Sequence, residues 1–176
     1  MPNNLTTVGV DFFSKDIQHN NENYRVQIWD TAGEELFKSI AVNFYKECHG
    51  VVACYDVANR KSFENLEYWL QEVHNNAHQN IPILVLGTKT DLKDKRKVSS
   101  KEGVDFSSQH KTLFSEVSSL TNEDCCVEKA FLLLINQLLK TYSEEGVRSQ
   151  LNQNISAVSK GDRSETQVKS ADCCSN

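Results

Sequence analysis

The spacing of hydrophobic positions changes several times along the chain, and each change predicts an element. Thr6 to Gln18 reads as extended, and Tyr24 to Trp29 alternates with period two. With Asn20, Asn21 and Asn23 as turn residues between them, the two segments predict an antiparallel hairpin. Residues 36–47 predict a short irregular helix. Gly50 to Tyr55 (GVVACY) is a continuous apolar run, as is Ile83 to Leu86 behind Pro82, and both predict strands buried on two faces. Thr112 to Glu116 predicts a shorter strand. Between these runs the period becomes helical. Phe63, Leu66, Trp69, Leu70 and Val73 form one stripe with Ser62 as its expected cap, and Lys101 to His110 gives a weaker helix. The clearest stripe is Val127, Ala130, Phe131, Leu134 and Leu138, preceded by Thr121 and Asp124 at capping-box spacing. From Ser143 the periodicity stops, so the expected organisation is one domain over 1–142 and a disordered tail over 143–176.

Strands alternating with helices predict an α/β fold: a mainly parallel sheet, joined by right-handed crossovers and covered on both faces. Such sheets bind ligands at the carboxyl ends of their strands, where Asp30, Asp91 and Ser118 are expected. At 176 residues one substantial core fits. Nineteen basic against 24 acidic residues give a net charge of −5, which argues against a nucleic-acid partner. The six cysteines, at 48, 54, 125, 126, 173 and 174, show neither a CxxC pair nor zinc-like Cys/His spacing. No apolar run approaches the ~18 residues of a membrane helix. These features predict a cytoplasmic protein with reduced thiols.

Candidate chemistry centres on Tyr24 to Gly33, YRVQIWDTAG. A strand ending in Asp-Thr-Ala-Gly suits a metal and phosphate site, with Asp30 holding Mg²⁺ through water and Gly33 admitting a phosphate close to its backbone N–H. Alone, a DxxG quartet is a weak signal. Thr88-Lys89-Thr90-Asp91 follows the second buried strand, and the Asp91 carboxylate can accept from both N1–H and the exocyclic amine of guanine. With Thr7 in a VGVDF context upstream, the combination becomes specific. Over about residues 5–142 and at the terminus, the sequence resembles a small GTPase of the Rab branch of the Ras superfamily.

That resemblance implies a Ras-like, P-loop NTPase-like fold that binds GTP or GDP with Mg²⁺ and acts as a switch in vesicle-mediated membrane traffic. Thr7 matches the threonine that meets Mg²⁺ and the γ-phosphate. Thr88, Lys89 and Asp91, with Ser118 and Ser119 of the Glu116–Leu120 loop, match guanine-binding positions. Phe12, Trp29 and Phe44 match the aromatic triad read by effector proteins. Cys173 and Cys174 match a double-cysteine end that prenylation machinery modifies, which implies a lipid-anchored protein on the cytosolic face of an endomembrane, served by exchange and activating factors.

Several positions depart from the family pattern. Glu34 stands where the family has the glutamine that orients attacking water, so hydrolysis is expected to be slow. Leu36 replaces an arginine and Leu120 a lysine. No glycine pair has GxxxxGK[ST] spacing, so the phosphate loop is absent, together with the strand before it and the helix after it. In the family order 2-3-1-4-5-6 that strand is central. Without it, either Tyr24–Trp29 closes directly on Val51–Tyr55, or about 30–40 amino-terminal residues are missing from this chain. A non-enzymatic module that binds effectors or prenylation machinery without nucleotide is the alternative function.

Overall fold

The computed structural model describes residues 10–19, 22–31, 44–144 and 155–160. Strand β1 (Val10–His19) and β2 (Glu22–Thr31) form the expected hairpin, in register from Val10 opposite Thr31 to His19 opposite Glu22. Asn23, expected in the turn, instead pairs with Gln18. Directly opposed Asp16 and Arg25 make two hydrogen bonds, at 2.7 and 3.0 Å. Both side chains are exposed, so the pair favours this register but adds little stability.

Strands β3 (Gly50–Asp56), β4 (Ile83–Thr88) and β5 (Leu113–Glu116) are parallel and stand side by side. Period-two alternation sorts β3 between two cores. Val51, Ala53 and Tyr55 face the layer that holds Leu66, Leu70 and Val73, while Val52 packs with Leu84, Ala130, Leu134 and Leu138. Sheet between helical layers is the predicted α/β architecture. The helices are α1 (Arg60–Glu64), α2 (Leu66–Asn76), α3 (Ser100–His110) and α4 (Cys126–Glu144). Of the expected 36–47 helix, only Phe44 to Glu47 falls among the described residues, and it is helical.

Two caps differ from expectation. Asn59 rather than Ser62 caps α1, accepting from the Lys61 amide, whereas Ser62 lies buried inside the helix and donates to the Asn59 carbonyl at 2.7 Å. Before α4, Asn122, Asp124 and Cys125 have positive φ, a backbone incompatible with a Thr121–Asp124 box. Asn122 takes the role by accepting from the Val127 amide at 3.2 Å. Helix α3 does carry a full capping box, Ser99 with Glu102.

The largest correction concerns the sheet's centre. Strand β2 does not close on β3. Ile155–Lys160, inside the segment expected to be disordered, forms β6 and lies parallel between them, giving the order β1-β2-β6-β3-β4-β5. The backbone donors and acceptors of β2 and β3 at this gap thereby find partners, and leaving such buried groups unpaired costs ~1–3 kcal/mol each.

Candidate guanine-nucleotide site

Strand β4 delivers Thr88 to the carboxyl edge, where its hydroxyl donates to the Tyr55 carbonyl at 2.8 Å. Lys89 follows in the left-handed region with φ 63°. A non-glycine residue there costs about 1–2 kcal/mol, and tight turns at functional edges are common places for such strain. The turn is held by the Leu92 amide on the Lys89 carbonyl at 3.0 Å and by the Thr90 amide on Val117 at 3.3 Å. Lys89 Nζ lies 2.8 Å from Asp56 Oδ2 at the end of β3, so its stem is drawn along the carboxyl edge.

Asp91 sits one turn further on, and its Oδ1 accepts a hydrogen bond from Ser118 Oγ. Ser118 is 3% exposed and also accepts from the amides of Leu120 (3.2 Å) and Thr121 (3.3 Å). Amides fastened to its oxygen turn the hydroxyl proton towards the carboxylate. One serine thus locks the loop after β4 to the loop after β5 and fixes the orientation of the carboxylate. An ionised carboxylate offers about four lone-pair sites, so the serine leaves capacity for the two donors that guanine presents together.

Asp30 lies buried near the end of β2, in register with Ser159 of β6. Between β2 and β4 stand β6 and β3, so the two ends of the site are separated by about 14 Å across the sheet at ~4.8 Å per strand. A ligand bridging them must be elongated, with a polar ring at one end and a metal-binding or anionic group at the other. Thr7, Gly33 and Glu34, expected at the phosphate end, lie outside the described residues.

A Ras family model matches residues 2–140. The chain belongs to the Ras family. Ras-related protein Rab-11B of Dictyostelium discoideum is 42% identical over 132 residues, 75% of this chain and 59% of the relative. Ras-related protein Rab-10 of Diplobatis ommata is 36% identical over 172 residues, 97% of this chain and 81% of its own length. GTP-binding protein YPT1 of Saccharomyces cerevisiae is 36% identical over 143 residues, 81% and 68% respectively. This Ras-family chain is therefore a Rab-like small GTPase, and the likeness does not favour the non-enzymatic alternative. It spans about three fifths of the Rab-11B relative, at 59%.

Within this Rab-like chain the aromatic triad is assembled. Trp29 stacks between Phe12, with ring centroids 4.6 Å apart, and Phe44, at 4.8 Å. Phe12 is 43% exposed, so the cluster is a surface feature. Ser119 and Leu120 are exposed beside Ser118, and Leu120, at 66% exposure, has no packing role in the loop. Cys173 and Cys174 lie outside the described residues; among the described residues no helix is long and apolar enough to cross a membrane.

Sequence reasoning missed one member of the site's frame, Glu116. It receives both arms of Arg96, at 2.7 and 3.1 Å, and the Ser100 hydroxyl at 2.7 Å. The signal was present as an acidic residue ending a strand, but only the fold brings Arg96 to it.

Proposed function

We propose that this chain is a guanine-nucleotide switch in vesicle-mediated membrane traffic, bound to GTP or GDP with Mg²⁺ and read by effector proteins in its GTP state. The observation that carries the reading is the Ser118–Asp91 hydrogen bond, which presets a buried-edge carboxylate for the paired donors of guanine. In this reading Thr88, Lys89 and the Ser119 amide complete the base pocket. Asp30 and Thr7 serve Mg²⁺, which would neutralise phosphate charge, and Gly33 lies against the terminal phosphate. Glu34 stands at the place of water orientation, and its negative charge and lack of an amide donor slow hydrolysis. Phe12, Trp29 and Phe44 form the effector surface, because apolar rings beside a switching loop can bind differently in its two states. Cys173 and Cys174 take lipid, placing the protein on the cytosolic face of an endomembrane.

The test is direct. The full chain purified under native conditions should carry GDP in stoichiometric amount, and Asp91→Asn should weaken GTP and GDP binding by at least about a hundredfold, since a hydrogen bond to a charged group contributes ~1.5–3 kcal/mol and two are altered. Glu34→Gln should leave binding intact and raise the single-turnover hydrolysis rate. Nucleotide-free protein with no measurable guanine affinity would sink the proposal.

A further inference from the structure

At the amino ends of β4 and β5, away from the nucleotide edge, the structure holds a cavity of about 620 Å³, a size typical of small-molecule sites. Ile83, the first residue of β4, and Leu113, the first of β5, line it, so roughly 16 Å of strand separates it from Thr88 at ~3.3 Å per residue. Its ionisable walls are basic. His74 and His78 come from the last turn of α2 and the loop after it, His110 and Lys111 from the end of α3, and among the described residues no acidic side chain lines the cavity. Three of the chain's five histidines meet here, although acidic residues outnumber Lys and Arg by 24 to 19 over the whole chain. One basic group in the last turn is an ordinary answer to a helix's carbonyl end, and His74 and His110 are so placed. Each end here carries a second. Lys111 moreover holds the left-handed cap position, with φ 56°, where glycine or asparagine is usual. The excess is felt nearby, since burial and then the charge of His78 hold the half-buried His49 imidazole below its ordinary value.

We propose that this cavity is a second ligand site, separate from the guanine-nucleotide site, and that it takes a phosphomonoester of a small polyol. Such a group carries nearly two negative charges at neutral pH and three strong acceptor oxygens, so basic side chains can meet it from both helix ends at once, whereas a carboxylate offers two oxygens in one plane. The cavity is far larger than a bare phosphate fills, and the amides of Gln79, Asn80 and Gln137 with the Thr141 hydroxyl suit the hydroxyls of a polyol body. His74 Nδ1 lies 2.7 Å from the Leu70 carbonyl and donates to it, which leaves Nε2 as the nitrogen a ligand can meet. His110 is already engaged from outside. Its Nε2 lies 3.0 Å from Oε2 of Glu67, a carboxylate that does not line the cavity and competes with any anion for this imidazole. A free sugar phosphate and an inositol phospholipid headgroup both present the required chemistry.

Histidine ring NMR signals of the full, unlipidated chain test this independently of guanine binding, because His74, His78 and His110 report on the cavity and not on the opposite edge. Glucose 6-phosphate should shift all three with a Kd of about 1 mM or tighter, and glucose should shift none. His78→Gln with Lys111→Gln should weaken that binding at least about tenfold, and Glu67→Gln should tighten it about threefold, because the competing carboxylate is gone. Sedimentation with phosphatidylcholine vesicles containing phosphatidylinositol 4-phosphate separates the two sources. Binding of the soluble ester assigns a free sugar phosphate; binding of the vesicles alone, lost in the double variant, assigns the lipid headgroup. Absence of both, or binding that the double variant and Glu67→Gln leave unchanged, would overturn the proposal.

Discussion

At the scale of single residues, burial decides which polar contacts carry weight. Cys48 is 2% exposed and burial pushes its thiol up to about 12, so it is a packing residue without nucleophilic character at neutral pH. Glu102 is the opposite case. The Arg60 guanidinium beside it, then the Ser99 backbone N–H, hold its carboxyl down at about 2, below its ordinary 4.5. A carboxylate with a lowered folded value stabilises the folded state above about pH 4.5 and loses that contribution as the pH falls towards about 2. Stability followed by urea unfolding should decline through that window, and Glu102→Gln should flatten the part of the decline that comes from the start of α3. An unaltered acid profile in the variant would mean that the Ser99 capping box and the Arg60 pair are not formed in solution.

At the scale of elements, Glu116 and Asp16 give a contrast that can be measured. Glu116 ties β5 to Arg96 and to Ser100 at the start of α3, with Tyr55 Oη at 3.5 Å; the Arg96 and Glu116 side chains are 26% and 15% exposed. Burial, then the nearby Glu116 charge, raises the Tyr55 phenol, consistent with a sheltered cluster. Glu116→Ala leaves the guanidinium and hydroxyls without their acceptor and should cost about 2 kcal/mol by chemical denaturation. Asp16→Ala removes an equally well-formed pair that water already surrounds, and should leave the denaturation midpoint almost where it is. Equal costs would show that the Glu116 cluster is wet.

The same scale shows where sequence reading succeeds. Strands β3 and β4 were legible because each is an apolar run too short for a helix, begun by Gly50 or Pro82, and α4 because its stripe repeats over several turns. Asp91 and Ser118 were legible as ends of such strands, though the hydrogen bond between them was not. The caps were misassigned because Ser62 and Thr121 are good cap types placed where the backbone has other uses. Strand β6 was invisible for a deeper reason. Its own residues give no strand signal, and what positions it is the unsatisfied ladder of β2 and β3, far away in sequence. The deficit could be read from the chain; the segment that fills it could not.

At the scale of the whole molecule, the terminal cysteines bear the remaining proposal. Net charge is −5, and the tail beyond residue 142 holds only Arg148, Lys160, Arg163 and Lys169 as basic groups, so electrostatics cannot hold it to an anionic bilayer. Stable attachment then requires lipid on both Cys173 and Cys174. Changing both to serine should shift the protein from the membrane to the soluble fraction of a cell lysate without moving its thermal midpoint. Persistent pelleting with membranes would refute a lipid anchor.

The place of β6 also bears on the order in which this molecule can come together. Synthesis delivers the β1–β2 hairpin before the β3–β4–β5 unit, and the strand that bonds to both is the last one described. Until it arrives, each half shows water an unpaired inner edge, a template for wrong partners. Contacts of such long sequence separation form slowly, because a large loop must close before they return any stabilisation. The nascent chain therefore passes through a stage with two finished halves and an open seam, and its exposure to aggregation is set by how soon six late residues thread between them.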